Sequence, residues 1–251
     1  MDMMKLILFF CVFLAAFVDS IAGGGGLISL PAYYAVGIPP HVALGTNKFS
    51  ATIGTFFACA RFIRNKSVAW KAAITAGICA LIGSAWGANM ALLVSDRVLR
   101  YVLLALVPVL AVFVMVKKDM GEDKEEMTGG KLLLVSVLCG LLVGAYDGFF
   151  GPAAGTFYTL AFASIVGMTM QKACGTTKIV NLCSGMAALV TFIINGKIDY
   201  SLAIPCTILA IAGNWLGSGL AIKNGAKLVR PVMICAMVLL LIKVGSDLFI
   251  G

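Results

Sequence analysis

The chain has 251 residues, of which 61% are hydrophobic and 12% are charged, and its mean hydropathy is +1.03. Soluble domains contain only about half apolar residues, so this composition excludes a soluble domain and indicates an all-α membrane protein that crosses the bilayer several times. The net charge of +8 does not indicate binding to nucleic acid, because the basic residues lie in short loops between apolar stretches, where they set membrane topology.

Ten apolar stretches follow one another along the chain, and a helix needs about 20 residues to cross the hydrocarbon core. The stretch 22–38 is short and begins with four glycines, and 151–169 is short and begins with glycine and proline. We therefore expect eight long helices and two short segments that are broken or re-entrant. The long stretches cover residues 5–20, 42–63, 69–94, 97–116, 131–147, 173–194, 200–222 and 228–250.

The whole chain, 1–251, is interpreted as a single transmembrane domain made of two homologous halves. Residues 1–116 form the first repeat, 117–130 a polar linker and 131–251 the second repeat. Polar residues and glycines recur in the same order in both halves, at an offset of 128 residues before about residue 45 and of 130 residues from there on. Chance hydrophobicity does not produce such a pattern. The matched pairs are Asp19 with Asp147, Gly23 with Gly151, Gly45 with Gly175, Thr46 with Thr176, Lys48 with Lys178, Asn65 with Asn195, and Arg100 with Arg230.

The first apolar stretch has the charge and length of a signal peptide, but no clear small-x-small cleavage site follows it. Its counterpart in the second half lies in the middle of the chain, where no signal peptide could act, so we expect residues 1–22 to stay in the protein.

The number of crossings decides how the two halves are oriented in the membrane. Four crossings in each half would make the halves parallel, whereas five would make them inverted. The Lys and Arg residues of the loops favour inversion, and inverted repeats with broken helices near the midplane are common in transporters.

Lys48 and Lys178 differ from the other basic residues because each lies a few residues inside a long apolar stretch. A charge in the middle of a membrane costs about 2.5 to 3.5 kcal/mol on insertion scales, and it usually faces a cavity or a partner. Both lysines could instead extend to the headgroups at the interface. We favour a role in substrate binding, because hydroxyl and amide side chains precede each lysine. These predicted binding residues are Thr46, Asn47, Thr176 and Thr177.

The glycine breaks offer a second set of anion-binding groups. A helix that starts after a break directs free backbone N–H groups and the positive end of its dipole towards it. Glycine also permits close helix packing, but that alternative explains four consecutive glycines less well. The predicted binding residues of the two breaks are Gly23, Gly24, Gly25 and Gly26 in the first half, and Gly151 and Gly155 in the second.

Asp19 and Asp147 precede the two breaks. Each carboxylate can pair with Lys48 or Lys178, can take up a proton because desolvation favours its neutral form, or can cap the following helix through backbone N–H groups. The residues alone do not decide between these roles. We therefore assign Asp19 and Asp147 to proton coupling as a hypothesis, with helix capping as the alternative.

Neither catalytic nor metal-binding motifs occur in the chain. GxSxG, P-loop and HExxH patterns are absent, the eight cysteines are scattered, and His41 is the only histidine. We expect no enzyme activity, no metal and no cofactor. Any active transport must then use an ion gradient or a partner subunit.

The two glycine motifs form a specific pair. The first copy runs from Asp19 to Pro31 as DSIAGGGGLISLP, with GTNK ending at Lys48, and the second contains GFFGPAAGTF with GTTK ending at Lys178. Together they resemble the TauE/SafE family of membrane transporters, over nearly the whole chain. The resemblance implies a location in the bacterial inner membrane and transport of sulfite, sulfonates or related organic anions. Ala153 and Ala154 stand where the family pattern usually has glycine, so the resemblance does not identify the substrate.

Together with the resemblance, which implies a sulfur-containing substrate, these observations predict a multi-pass inner-membrane protein that acts as a secondary transporter of a small anion, such as sulfite or a sulfonate, with protons as a candidate coupling ion. A passive anion channel and a membrane scaffold without transport activity are the alternatives. The expected partners are the anionic substrate and the lipid bilayer, with no nucleic acid. A homo-oligomer, the coupling ion and the direction of transport are left open.

Overall fold

The computed structural model describes residues 3–95, 97–98 and 125–224, and the regular structure in these residues is entirely helical. Most of the predicted helix at 97–116 and all of that at 228–250 lie outside the described residues. The helices are α1 (Met3–Ala22), α2 (Gly26–Ala35), α3 (Pro40–Arg64), α4 (Trp70–Leu93), α5 (Gly129–Phe149), α6 (Ala154–Leu160), α7 (Met170–Ile194) and α8 (Tyr200–Asn224), and a π-helical turn, Ala161–Ile165, follows α6 directly.

The predicted all-α membrane fold is confirmed. Helices α1, α4, α5, α7 and α8 are long and apolar enough to cross a membrane. Helix α3 has 25 residues, and it is equally long but less apolar because it carries Lys48, Arg61 and Arg64. Large apolar side chains such as Phe10, Trp86 and Leu142 are more than half exposed, as expected for a surface that faces lipid.

Small residues bring helices of the two halves into backbone contact. A Cβ atom added at Gly140 of α5 would lie 2.4 Å from the carbonyl oxygen of Ala76 in α4, and one at Gly148 would lie 2.0 Å from that of Ser84. The contacts advance in the same direction along both helices, so α4 and α5 run parallel. Close approach of this kind is how small residues support helix association in membranes.

Helices α1 and α8 make the corresponding contact at the other side of the bundle. Added Cβ atoms at Gly213 and Gly217 would lie 2.5 Å and 2.3 Å from the carbonyl oxygens of Phe13 and Phe17, so these helices also run parallel. Helix α1 of the first half thus packs on α8 of the second half, and α5 of the second half packs on α4 of the first. The two halves are interlocked and not side by side.

Helices α3 and α7, which the sequence repeat makes equivalent, cross the centre in opposite directions. Thr52 of α3 contacts Gly185 of α7, whereas Cys59, further along α3, bonds the carbonyl oxygen of Lys178, which comes earlier in α7. Both helices begin and end at positions that the sequence repeat makes equivalent. These directions and bounds are those that inverted halves require, while the duplication itself stays a prediction from the sequence.

The chain turns back between α1 and α3. Gly54 of α3 contacts Ala210 of α8, and Arg61 contacts Gly219, so α3 runs parallel to α8 and therefore to α1. Residues 23–39 must return the chain to the side from which α1 started. Within that segment α2 has only 10 residues, about 15 Å of helix, or half of a hydrocarbon core about 30 Å thick.

Gly87 tests whether backbone contact between α4 and α5 stabilises the fold. An added Cβ atom there would lie 1.9 Å from the carbonyl oxygen of Ala145, so we expect Gly87→Ala to force the helices apart. Overpacking of this kind costs about 1–3 kcal/mol, and the apparent unfolding temperature in detergent should fall by several degrees. Gly130→Ala is the matched control, because nothing lies within 4 Å of the added atom. An unchanged unfolding temperature for Gly87→Ala would contradict the close packing.

Candidate functional site

Two buried ion pairs lie inside the helix bundle, and each joins the two halves. Lys48 Nζ lies 2.8 Å from Asp147 Oδ1, and Lys178 Nζ lies 2.8 Å from Asp19 Oδ2. The lysine of each half therefore pairs with the aspartate of the other half. Lys48 is 8% exposed and Lys178 is 2% exposed, so neither ammonium extends to the headgroups, and the interfacial alternative is wrong.

Asp19 combines two of the roles that the sequence left open. One carboxylate oxygen accepts from Lys178, and the other accepts from the backbone N–H of Gly25 at 3.1 Å. Gly25 immediately precedes α2, where backbone N–H groups lack partners within the helix. Lys178 also donates to the carbonyl oxygen of Asp19. The start of α2 and the lysine ammonium thus already hold one anionic group, which belongs to the protein itself.

Asp147 is the more deeply buried aspartate of the two, with its side chain 5% exposed against 19% for Asp19. Its second carboxylate oxygen accepts from the hydroxyl of Ser184 at 2.6 Å. The carbonyl oxygen of Ser184 accepts in turn from the hydroxyl of Ser84 on α4. This pair is therefore held by side chains from α3, α4, α5 and α7.

The backbones of the two lysines lie on opposite sides of the middle of the bundle. The backbone of Lys178 is level with Cys59 on α3, because the thiol of Cys59 donates to the carbonyl oxygen of Lys178 at 3.1 Å. Lys48 lies three helical turns earlier on the same helix, about 16 Å at a rise of about 1.5 Å per residue. The two lysines thus start from different levels of the bundle, and their side chains reach aspartates beside the two glycine breaks.

The two glycine breaks meet each other. Gly23 and Gly24 have φ angles of +75° and +90°, a backbone conformation that glycine adopts without strain. A Cβ atom added at Gly23 would lie 2.3 Å from the backbone nitrogen of Thr156, and Gly155 lies directly beside Gly23. The hydroxyl of Thr156 donates to the carbonyl oxygen of Ala22. The tertiary structure therefore brings both predicted breaks to one place.

The remaining glycines of the breaks line the same region. Gly151 has a φ angle of +93°, and its Cα faces the ammonium of Lys48, since an added Cβ atom would lie 3.4 Å from Nζ. Gly26 packs against Pro152, with 3.1 Å between an added Cβ atom and the Cα of the proline. Lys48 thus lies beside the second break, and the start of α2 packs on it.

Thr46 and Thr176, predicted to bind substrate, dock the loops of the opposite half. Thr46 Oγ1 accepts from the backbone N–H of Asp199, and Thr176 Oγ1 accepts from that of Ala69, both at 3.0 Å. Asp199 and Ala69 also occupy equivalent positions of the sequence repeat, so the two contacts correspond to each other. Both threonines are completely buried, and their hydroxyls hold the short connections before α8 and α4.

Asn47 and Thr177 occupy different surroundings, although the sequence placed them at equivalent positions. Asn47 Oδ1 accepts from the hydroxyl of Ser29 at 2.7 Å, and the residue lines a cavity between α1, α2, α3 and α8. Thr177 is 1% exposed, and its hydroxyl accepts from that of Thr159. Of these two residues, Asn47 is the one that lines the cavity beside Asp19.

Three polar residues at the site were not among the predicted binding residues: Ser29, Ser184 and Asn214. Asn214 carried a usable signal, because an amide inside an otherwise apolar stretch is costly in a membrane and marks a functional position. Serine carries less signal, since small hydroxyl side chains are common where membrane helices pack.

Among the described residues, no group of three or more His, Cys, Asp or Glu side chains could hold a metal ion.

Comparisons with known proteins agree with this architecture. The family model described as "Sulfite exporter TauE/SafE" matches residues 8–244. The chain belongs to the TauE/SafE family. It is 37% identical to the "Probable membrane transporter protein YfcA" of Escherichia coli (strain K12) over 242 residues, which cover 96% of this chain and 89% of the relative.

Two further relatives of the TauE/SafE family carry similar names. The "Probable membrane transporter protein ORF9" of Sinorhizobium sp is 32% identical, covering 96% of this chain and 92% of that protein. A "Probable membrane transporter protein" of Haemophilus influenzae is also 32% identical, covering 96% and 95%. No solved structure matches the chain significantly. The protein is thus a multi-pass membrane transporter, and its bacterial relatives imply the inner membrane.

Double substitutions test the crossed pairing. Lys48→Met should strongly destabilise the protein, because loss of one partner leaves a buried charge uncompensated, at a cost of about 3–5 kcal/mol. Adding Asp147→Leu removes that charge, so the apparent unfolding temperature in detergent should recover most of the loss. The mismatched double variant, Lys48→Met with Asp19→Leu, has the same net charge but leaves Asp147 and Lys178 unpaired. Equal unfolding temperatures for the two double variants would contradict the crossed pairs.

Proposed function

We propose that the protein is a secondary transporter of a small sulfur-containing anion, such as sulfite, a sulfonate or a related organic anion, coupled to protons. One observation supports this function above all: two buried lysines are neutralised by carboxylates from the opposite half of the chain. Such pairs can exchange a carboxylate of the protein for an anion from solution. The substrate-binding groups in this proposal are Lys48 and Lys178 with the glycine breaks beside them.

Asp19 marks the position that an anion would take. Its carboxylate contacts an ammonium group and a backbone N–H at the start of α2, and helix N-termini with a nearby cation are common sites for oxyanions. A sulfite or sulfonate group presents several oxygen acceptors around one centre, as a carboxylate does. The anion can therefore replace Asp19 at Lys178, and by the same reasoning Asp147 at Lys48.

Charge balance supports coupling to protons. Each pair is neutral, so an anion that binds to the lysine and displaces the aspartate leaves one uncompensated negative charge inside the bundle. An unpaired buried charge costs several kcal/mol, and protonation of the displaced carboxylate removes it. Uptake of one proton for each monovalent anion keeps the site neutral. Asp19 and Asp147 are the proton acceptors in this proposal.

The positions of the two pairs support alternating access. The pair of Asp19 and Lys178 joins α1 to α7, whereas that of Lys48 and Asp147 joins α3 to α5. The backbones of the two lysines lie on opposite sides of the middle of the bundle, so opening one pair while the other stays closed would expose the interior to one side only. A passive channel would need both to open together, and a scaffold would need neither to open.

The lysines are tested by flux through charge-balanced variants, which should retain the fold. In proteoliposomes, Lys178→Met with Asp19→Leu, and Lys48→Met with Asp147→Leu, should each lower the uptake of sulfite or sulfoacetate at least tenfold. The matched control is Lys172→Ala with Glu126→Ala, which removes an exposed ion pair and should leave flux unchanged. Wild-type flux in both test variants would exclude the lysines as the anion site.

Proton coupling is tested by neutral aspartate variants. Asp19→Asn and Asp147→Asn cannot exchange a proton, so a pH gradient should no longer drive substrate accumulation, while exchange of labelled for unlabelled substrate continues. Asp199→Asn is the control, because Asp199 caps the start of α8 and asparagine caps equally well. Accumulation driven by the pH gradient in both test variants would show that protons are not coupled through these residues.

A further inference from the structure

A small cavity lies next to Asp19, between α1, the start of α2, α3 and α8. Its volume is about 40 Å³, enough for a few water molecules or a partly hydrated ion. Its apolar walls come from α1 and from Ala51 and Ala210. The polar groups that line it are Asp19, Ser29, Asn47, Ser50 and Asn214.

Asn214, one of the residues that line the cavity, has an amide oxygen without a hydrogen-bond partner among the described residues. The residue is 1% exposed, and its Nδ2 donates to the carbonyl oxygen of Ala210 at 3.0 Å and lies against Gly54. This contact fixes which end of the amide is the oxygen. No hydrogen-bond donor reaches Oδ1 within the part of the chain that the structure describes. A buried acceptor left unpaired is costly, so Oδ1 indicates a ligand that the protein does not itself provide.

The serine hydrogens around the cavity are already used. The hydroxyl of Ser50 donates to a carbonyl oxygen of its own helix, at Asn47, and that of Ser29 donates to Asn47 Oδ1. A hydroxyl that has donated its hydrogen retains acceptor lone pairs. Together with the carboxylate of Asp19 and the amide oxygen of Asn214, these hydroxyls make most of the polar groups around the cavity oxygen acceptors, with Nδ2 of Asn47 as a donor. Such a set repels anions and attracts a hard cation.

The positions that the sequence repeat makes equivalent to Ser29, Ser50 and Asn214 carry other side chains. Phe157 corresponds to Ser29, Val180 to Ser50 and Ser84 to Asn214. Ser84 supplies a hydroxyl, which donates to the carbonyl oxygen of Ser184, in place of the amide of Asn214. Because the equivalent helices pack without these three side chains, packing alone does not require them around the cavity.

We propose that this cavity is a Na⁺ site formed by Asp19, Asn214, Ser50 and Ser29. One carboxylate that also pairs with Lys178 is too little negative charge for Ca²⁺, whose sites use about 6–8 oxygen ligands and usually several carboxylates. As a coupling site it rests on the proposed function: when a substrate anion takes Lys178, Na⁺ neutralises Asp19 as a proton would. Binding of Na⁺ in the cavity can be measured whether or not transport is observed.

Na⁺ binding is tested on the purified protein in detergent without substrate, by unfolding temperature at increasing NaCl, with choline chloride holding ionic strength constant. A ligand that binds the folded state raises its stability with concentration, so Na⁺ should raise the unfolding temperature and K⁺ should not. Asn214→Ala and, as a second variant, Ser50→Ala should need at least tenfold more Na⁺ for the half-maximal shift. Asn89→Ala is the matched control, because Asn89 makes the same bond to its own helix on an exposed face.

The outcomes separate this site from the transport proposal. If the unfolding temperature of the wild-type protein shows no Na⁺-specific shift, the cavity holds water only and the Na⁺ site is wrong. Equal shifts in Asn214→Ala and Asn89→Ala would also overturn the site. Anion flux in proteoliposomes that ignores a Na⁺ gradient overturns the coupling role and leaves the transporter proposal intact. A Na⁺-specific shift that Asn214→Ala weakens, with no anion flux under any gradient, supports the site and overturns the transporter proposal.

Discussion

The crossed ion pairs are the interaction on which the rest of the structure depends. Each lysine is buried in a bundle that must also be stable in lipid, where an isolated ammonium is costly, so its aspartate must lie within contact distance. That aspartate belongs to the opposite half of the chain. The two halves can therefore fold around their charged residues only when they are interlocked, with α1 against α8 and α5 against α4.

Backbone contacts make this interlocking geometrically possible. Gly45 and Gly175 face the carbonyl oxygens of Lys197 and Ser67, 2.0 Å and 1.9 Å from the position of an added Cβ atom, so each central helix lies directly against a loop of the other half. The neighbouring threonines bond the same loops. These residues position α3 and α7, and with them the two lysines that follow a few residues later in each helix.

The first break combines structural and functional demands in one short segment. Gly23 has to be glycine because its φ angle is positive and Thr156 lies against it, while Gly25 supplies an N–H group to Asp19. A carboxylate held by an ammonium and a helix start is stable, yet it can be replaced by another anion with the same contacts. In the proposed function, the segment thus holds a closed site in this conformation and can still exchange its carboxylate for an anion.

The sequence by itself determined the all-α membrane fold and the two short broken helices, and it singled out Lys48, Lys178, Asp19 and Asp147 as charged residues next to or inside apolar stretches. Hydropathy, glycine runs and charges in apolar stretches are local signals. The sequence could not determine which aspartate pairs with which lysine, since residues far apart in the chain meet only after the halves interlock. For the same reason it did not separate Thr46 and Thr176, whose hydroxyls dock loops, from Asn47, which borders the cavity. Only the tertiary structure decided that Asn214 meets Asp19 across that cavity, because the contact requires α8 of one half to lie against α1 of the other.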